Sequence, residues 1–214
     1  MSQSQSPRFN VSSLLSDPGG FAARLRDSER FALPAVFLAL VGAAVFGFAV
    51  GSFVDLQVAF ADSAKMVGVV AFSFALTYPT MYVFASISGS ALSPARLLGL
   101  GLVATATLGC ILAALAPVLW LFSVSTETVG FIVVFAALLA GIGAFFAISA
   151  LARARQSGVV ASTAGLSTWF VVFVVVALQT VTLVRPMLAP LGSSRDPSGK
   201  CFFLGHFARV VTNE

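Results

Sequence analysis

Very few side chains in this sequence could do acid–base, nucleophilic or metal chemistry. His206 is the sole histidine, and Cys110 and Cys201 are the sole cysteines. A structural zinc site needs about four Cys or His ligands, so these three residues cannot build one. One thiol lies in an apolar run and the other in a polar tail, which argues against a disulfide. Residues 86–89 read SISG, but the only histidine base is more than a hundred residues away in that tail. The acids and lysines fall outside the long apolar runs, leaving no carboxylate pair, metal site or proton relay at depth. No nucleotide or dinucleotide fingerprint occurs. These residues predict a protein that is not an enzyme and needs no cofactor.

What remains is uncharged hydrogen-bonding groups inside apolar surroundings, and the densest set is FALTYPTMYVF at residues 74–84. Pro79 lacks an amide hydrogen, so the Ala75 carbonyl loses its helical partner. In lipid that carbonyl cannot turn to water, and the hydroxyls of Thr77 and Thr80 are at hand to receive it. The expectation is that this stretch faces other helices, either as a packing kink or as part of a polar site or gate. Tyr78 and Tyr82, one turn apart, share a face, and each phenol needs a partner when buried. Thr105 and Thr107 on one neighbouring run, and Gln179, Thr180 and Thr182 on another, are the candidate partners. Gln179 is deep enough to hydrogen-bond across helices. Arg185 falls near the end of its run, where it can extend to the headgroups as an interface anchor.

The elements that position these groups follow from composition. Of 214 residues, 58% are hydrophobic and 9% charged, against roughly 25% charged in a soluble domain. Such a chain cannot cover itself with a water-compatible surface. Five runs, 31–54, 66–88, 97–122, 129–152 and 166–189, are each long enough to cross a hydrocarbon core of about 30 Å. The predicted fold class is therefore an all-α membrane protein, a five-helix transmembrane bundle. The net charge of +4 comes from only 12 Lys and Arg, scattered between apolar runs, so it does not indicate nucleic-acid binding.

Cationic residues set the expected orientation. Arg8, Arg24, Arg26, Arg30, Arg96, Arg153 and Arg155 fall on one side, whereas Lys65, Arg185, Arg195, Lys200 and Arg209 fall on the other with Asp55, Asp62 and Glu127. The N-terminus is thus expected in the cytoplasm and the C-terminus outside, in a bacterial inner membrane. The chain divides into a cytoplasmic tail over 1–30, a transmembrane domain over 31–190 and an extracytoplasmic tail over 191–214. Short interfacial helices are expected in both tails, around residues 19–33 and 202–211, where apolar residues share a face beside charged ones. The first apolar run is too long for a cleaved signal peptide and reads as a retained anchor.

Small residues suggest how the helices meet. Ala43, Gly47 and Gly51 recur every four residues, a stripe that lets backbones approach closely in lipid. It serves either the bundle itself or an oligomer. In its five spans and its segments LTYPTMYVFASISGS (76–90), LAPVLWLFSVST (115–126) and LQTVTLVRP (178–186), the chain resembles the Yip1-domain membrane proteins. That resemblance implies a non-catalytic membrane protein. The expected function is membrane organisation, or scaffolding and assembly of a membrane complex, with the lipid bilayer and other membrane proteins or a second copy as partners. The alternative is a channel or solute path lined by Tyr78, Thr80, Thr105, Gln179 and Thr182.

Overall fold

The computed structural model describes residue 14 and residues 29–89, 92–156 and 164–184. Five helices follow in order: α1 Glu29–Gly51, α2 Leu56–Ile87, α3 Pro94–Ser125, α4 Val129–Gln156 and α5 Ala164–Leu183. All five are long and apolar enough to cross a membrane. Their apolar residues run round every face, because lipid on one side and protein on the other both favour hydrocarbon. Outward-facing side chains confirm the setting: Leu33 is 75% exposed, Ile87 77% and Leu183 69%. In water such a surface would aggregate; in a bilayer it is solvated.

Local signals fix the helix ends. Asp55 caps α2, its Oδ1 accepting from the Val58 amide at 2.7 Å, which satisfies one of the orphan donors of the first turn. Pro94 opens α3, where its missing amide costs nothing and its fixed φ suits the helix. At the end of α2, Gly89 adopts φ 73° and its amide donates to the Ser86 carbonyl. That left-handed turn is one an L side chain would strain to adopt.

Packing runs in the order α5–α2–α1–α3–α4, with lighter contacts closing α4 on α5 and α2 on α3. The middle of α3, from Gly99 to Gly109, is buried on every face. Close crossings use small residues. Gly42 of α1 abuts the Gly109 backbone of α3, and a Cβ added at Gly109 would sit 2.7 Å from the Ala39 Cα. The Ala43–Gly47–Gly51 stripe is spent inside the bundle: a Cβ at Gly47 would lie 2.6 Å from the Asp62 carbonyl, and one at Gly51 2.7 Å from the Ala59 Cα, both on α2.

Two expectations change. Helix α2 begins at Leu56, ten residues before the predicted start at 66, and at 32 residues is about 48 Å long. Asp62 and Lys65 consequently lie within this helix and not in a loop. Asp62 is fully buried against α1, and the Lys65 Nζ donates to its Oδ1 at 2.6 Å. Two charges three residues apart interrupt the apolar run in sequence, whereas in the helix they sit one turn apart and neutralise each other. The proposed interfacial helices lie outside the described residues, except that residues 29–33 belong to α1.

Candidate functional site

The buried face of α2 carries Ser73 and Thr77, one turn apart on the side that meets α5, and, a turn further on, Met81, which packs on Gly101 of α3. From Ser73 and Thr77 a polar seam runs between α2 and α5. The Thr77 Oγ1 donates to the Ser73 carbonyl at 2.7 Å, and the Ser73 Oγ reaches the Thr180 Oγ1 at 3.4 Å. Thr180 in turn donates to the Val176 carbonyl of its own helix at 2.7 Å. At the other end of the seam the indole of Trp169, fully buried, donates from Nε1 to the Thr77 carbonyl at 2.8 Å. Trp169 sits edge-on to Phe74, ring centroids 6.1 Å apart, and packs on Phe170 and Phe173. An indole needs a hydrogen-bond acceptor when buried, and the Thr77 carbonyl supplies it.

The hydroxyls near Pro79 do not serve the Ala75 carbonyl. Thr80 donates to the Thr77 carbonyl at 2.7 Å, and Thr77 to that of Ser73. The reason is reach: a helical threonine bonds the carbonyl three or four residues back. For Ala75 the donor would have to sit at position 78 or 79, where the chain has Tyr78 and Pro79. Both Ala75 and Pro79 lie on the exposed face of α2, opposite the Thr77 stripe. The helix nevertheless continues through Pro79 to Ile87.

The remaining polar residues are dispersed. Thr105 is buried in α3 and donates to the Gly101 and Leu102 carbonyls of its own helix at 3.0 and 3.2 Å. Thr107 does the same to Val103 at 2.8 Å. Thr182 donates to the carbonyl of half-buried Gln179 at 2.7 Å. Of the predicted set, therefore, Thr77 and Thr180 join the α2–α5 seam, while Thr105, Thr107 and Thr182 bond along their own helices. Arg185 lies outside the described residues. Each fully buried polar side chain among the described residues has a hydrogen-bond partner, as membrane interiors demand.

Tyr78 and Pro79 belong to a different feature. At the end of the bundle that carries Arg96, an apolar cavity of about 130 Å³ opens between α2 and α3. Tyr78, Pro79, Met81, Tyr82, Pro94 and Leu97 line it. The Tyr78 hydroxyl donates to the Pro94 carbonyl at 3.3 Å and closes one wall. At the opposite end of the bundle, Ser52 and Ser123 share a hydrogen bond at 2.9 Å between the ends of α1 and α3.

Ser73 and Trp169 were not among the predicted site residues. Ser73 had a readable signal, lying one turn before Thr77 on the same face. Trp169 and Ser123 had none, because their partners are 92 and 71 residues away in sequence. Among the described residues no group of three or more His, Cys, Asp or Glu could hold a metal ion. No protein-family model, characterised protein or solved structure matches the chain, so what the geometry establishes is a multi-span, all-helical membrane bundle.

Proposed function

We propose that this chain is a non-enzymatic integral membrane protein that organises or assembles a membrane complex by packing α2 against a further membrane helix. One observation carries the reading. Ala64, Gly68, Ala71 and Ala75 follow one another at helical spacing on the exposed face of α2. A Cβ added at Gly68 would meet nothing within 4 Å. The stripe on α1 is consumed inside the bundle, whereas this one is left open to whatever lies alongside. Small stripes are where membrane helices approach most closely. The five-span layout that resembles Yip1-domain proteins is in keeping with a non-catalytic role of this kind. A solute path has less support, because the hydroxyls of Thr80, Thr105 and Thr182 are turned to carbonyls of their own helices.

The orientation that accompanies this reading is a cytoplasmic N-terminus and an exterior C-terminus, from the distribution of Lys and Arg. The test places a cysteine at Gly68 and crosslinks it in native membranes. The expected product is a defined adduct with another membrane protein or a second copy, lost in the background of Ala71→Ile and Ala75→Ile. An adduct pattern no different from that of a cysteine at Val175, exposed on α5, would refute the proposal.

A further inference from the structure

The bundle leaves over two hydrogen-bonding groups on the outer face of α2, and they are of opposite kind. The first is an acceptor. Pro79 has no amide hydrogen to give the Ala75 carbonyl, and the nearby hydroxyls are engaged elsewhere. Thr77 donates to the Ser73 carbonyl, Tyr78 to that of Pro94 and Thr80 to that of Thr77. Ala75 and Pro79 are both exposed, so the carbonyl meets what lies outside the bundle, where lipid tails offer no donor. The second is a donor. Tyr82 is 51% exposed, and among the described residues it is its carbonyl, not its hydroxyl, that makes a hydrogen bond, accepting from Ser86 at 2.9 Å.

Tyr82 lies seven residues past Ala75, so the two share a face of the helix. A helical carbonyl points toward the C-terminus and helical side chains lean toward the N-terminus, so acceptor and donor lean toward each other. Within one chain Pro79 stands between them on that face. Between two chains nothing does. About a two-fold axis along the membrane normal, two copies of α2 lie parallel, and each bond that one copy gives it also receives. Small residues on the same face let the copies approach: Ala71 is exposed, and a Cβ added at Gly68 would meet nothing within 4 Å. We infer that the partner of this face is a second copy of the chain, joined by two equivalent hydrogen bonds from the Tyr82 hydroxyl of each copy to the Ala75 carbonyl of the other. This rests on the reading that α2 packs against a further membrane helix, and it names that helix.

The test uses the purified full chain, Cys110→Ser, labelled at Cys201 with donor or acceptor dye and mixed in phosphatidylcholine vesicles. Energy transfer over a range of protein-to-lipid ratios gives the dissociation constant of the dimer. One hydrogen bond between membrane helices is worth about threefold, so Tyr82→Phe, which removes two, is expected to weaken the dimer about eightfold. The change deletes only an exposed hydroxyl and does not threaten the fold. Pro79→Ala gives the carbonyl an amide of its own chain and is expected to weaken the dimer by a similar factor. Tyr82→Phe added to Pro79→Ala should then have little further effect. A dimer that Tyr82→Phe does not weaken, or weakens equally in both backgrounds, overturns the inference and leaves the hydroxyl to water or headgroups. A Pro79→Ala chain that no longer dimerises at all also overturns it, since the shape of the kink would then hold the contact. Energy transfer absent at every ratio overturns it too, but leaves the Gly68 crosslink free to find another protein.

Discussion

Replacing Gly109 by alanine tests the packing of the bundle at its tightest point. The added Cβ would sit 2.7 Å from the Ala39 Cα and 2.8 Å from the Leu38 carbonyl oxygen. Carbon atoms in contact prefer about 3.5–4.0 Å, so the overlap is close to 1 Å. The atoms in the way are backbone, which cannot rotate aside, and Gly42 abuts Gly109 from the other helix. Helix α1 must therefore retreat from α3, and overpacking of this kind costs about 1–3 kcal/mol. The usual gain in helix propensity on replacing glycine does little to offset that cost, because membrane helices remain helical when separated. Gly141 gives the control, since a Cβ there meets nothing within 4 Å. Stability can be followed in detergent micelles with a maleimide dye that lights up on reaction with Cys110, half-buried beside Gly109, after Cys201→Ser. Gly109→Ala is expected to lower the midpoint by an amount matching that loss, and Gly141→Ala to leave it unchanged. A Gly109→Ala protein that melts with or above the native one would refute the close crossing of α1 and α3.

Two further outcomes follow from the same geometry. Trp169→Phe removes the Nε1 donor to the Thr77 carbonyl, which keeps its bond from Thr80, and also empties part of a fully buried ring site. The loss should exceed the roughly 0.6 kcal/mol typical of the hydrogen bond alone in membranes because the cavity adds to it, read from the same dye midpoint, and an unchanged midpoint would refute the contact. Cysteines introduced at Arg24 and His206 should react with a membrane-impermeant reagent from opposite faces of sealed vesicles, and labelling of both from one face would contradict five crossings.

The number of helices was legible because apolar runs of membrane length have few other uses. The start of α2 was not, because Asp62 and Lys65 look like loop residues until they are set 2.6 Å apart on one helix. Small residues were legible as contacts, but not which helix each would meet. Ala43, Gly47 and Gly51 announce a close approach, yet nothing in the chain's local pattern names α2 as their partner, since every face of every helix is apolar. Gly42 carries no local signal of its own, although it makes the tightest crossing. The hydroxyls misled in the opposite direction. Thr77 and Thr80 lie beside Pro79 in sequence, but the fixed reach of a threonine along a helix sends their bonds to Ser73 and Thr77. The polar link that does join two helices at Thr77 uses a backbone carbonyl, which every residue possesses and no composition reveals.

The Asp62–Lys65 pair also bears on how the chain enters a bilayer during synthesis. If the first turns of α2 reach the hydrocarbon, they would on their own carry a carboxylate and an ammonium toward oil, a step opposed by several kcal/mol per ion. The buried carboxylate is instead sheltered by α1, where Gly47 leaves room for the Asp62 backbone. Entry as a hairpin, with the earlier segment already beside the later one, avoids that barrier, and only residues 52–55 separate the two. On this view the first pair is delivered together, and a Gly47→Leu chain should stall with residues 56–65 still outside, detectable as protease sensitivity in nascent chains.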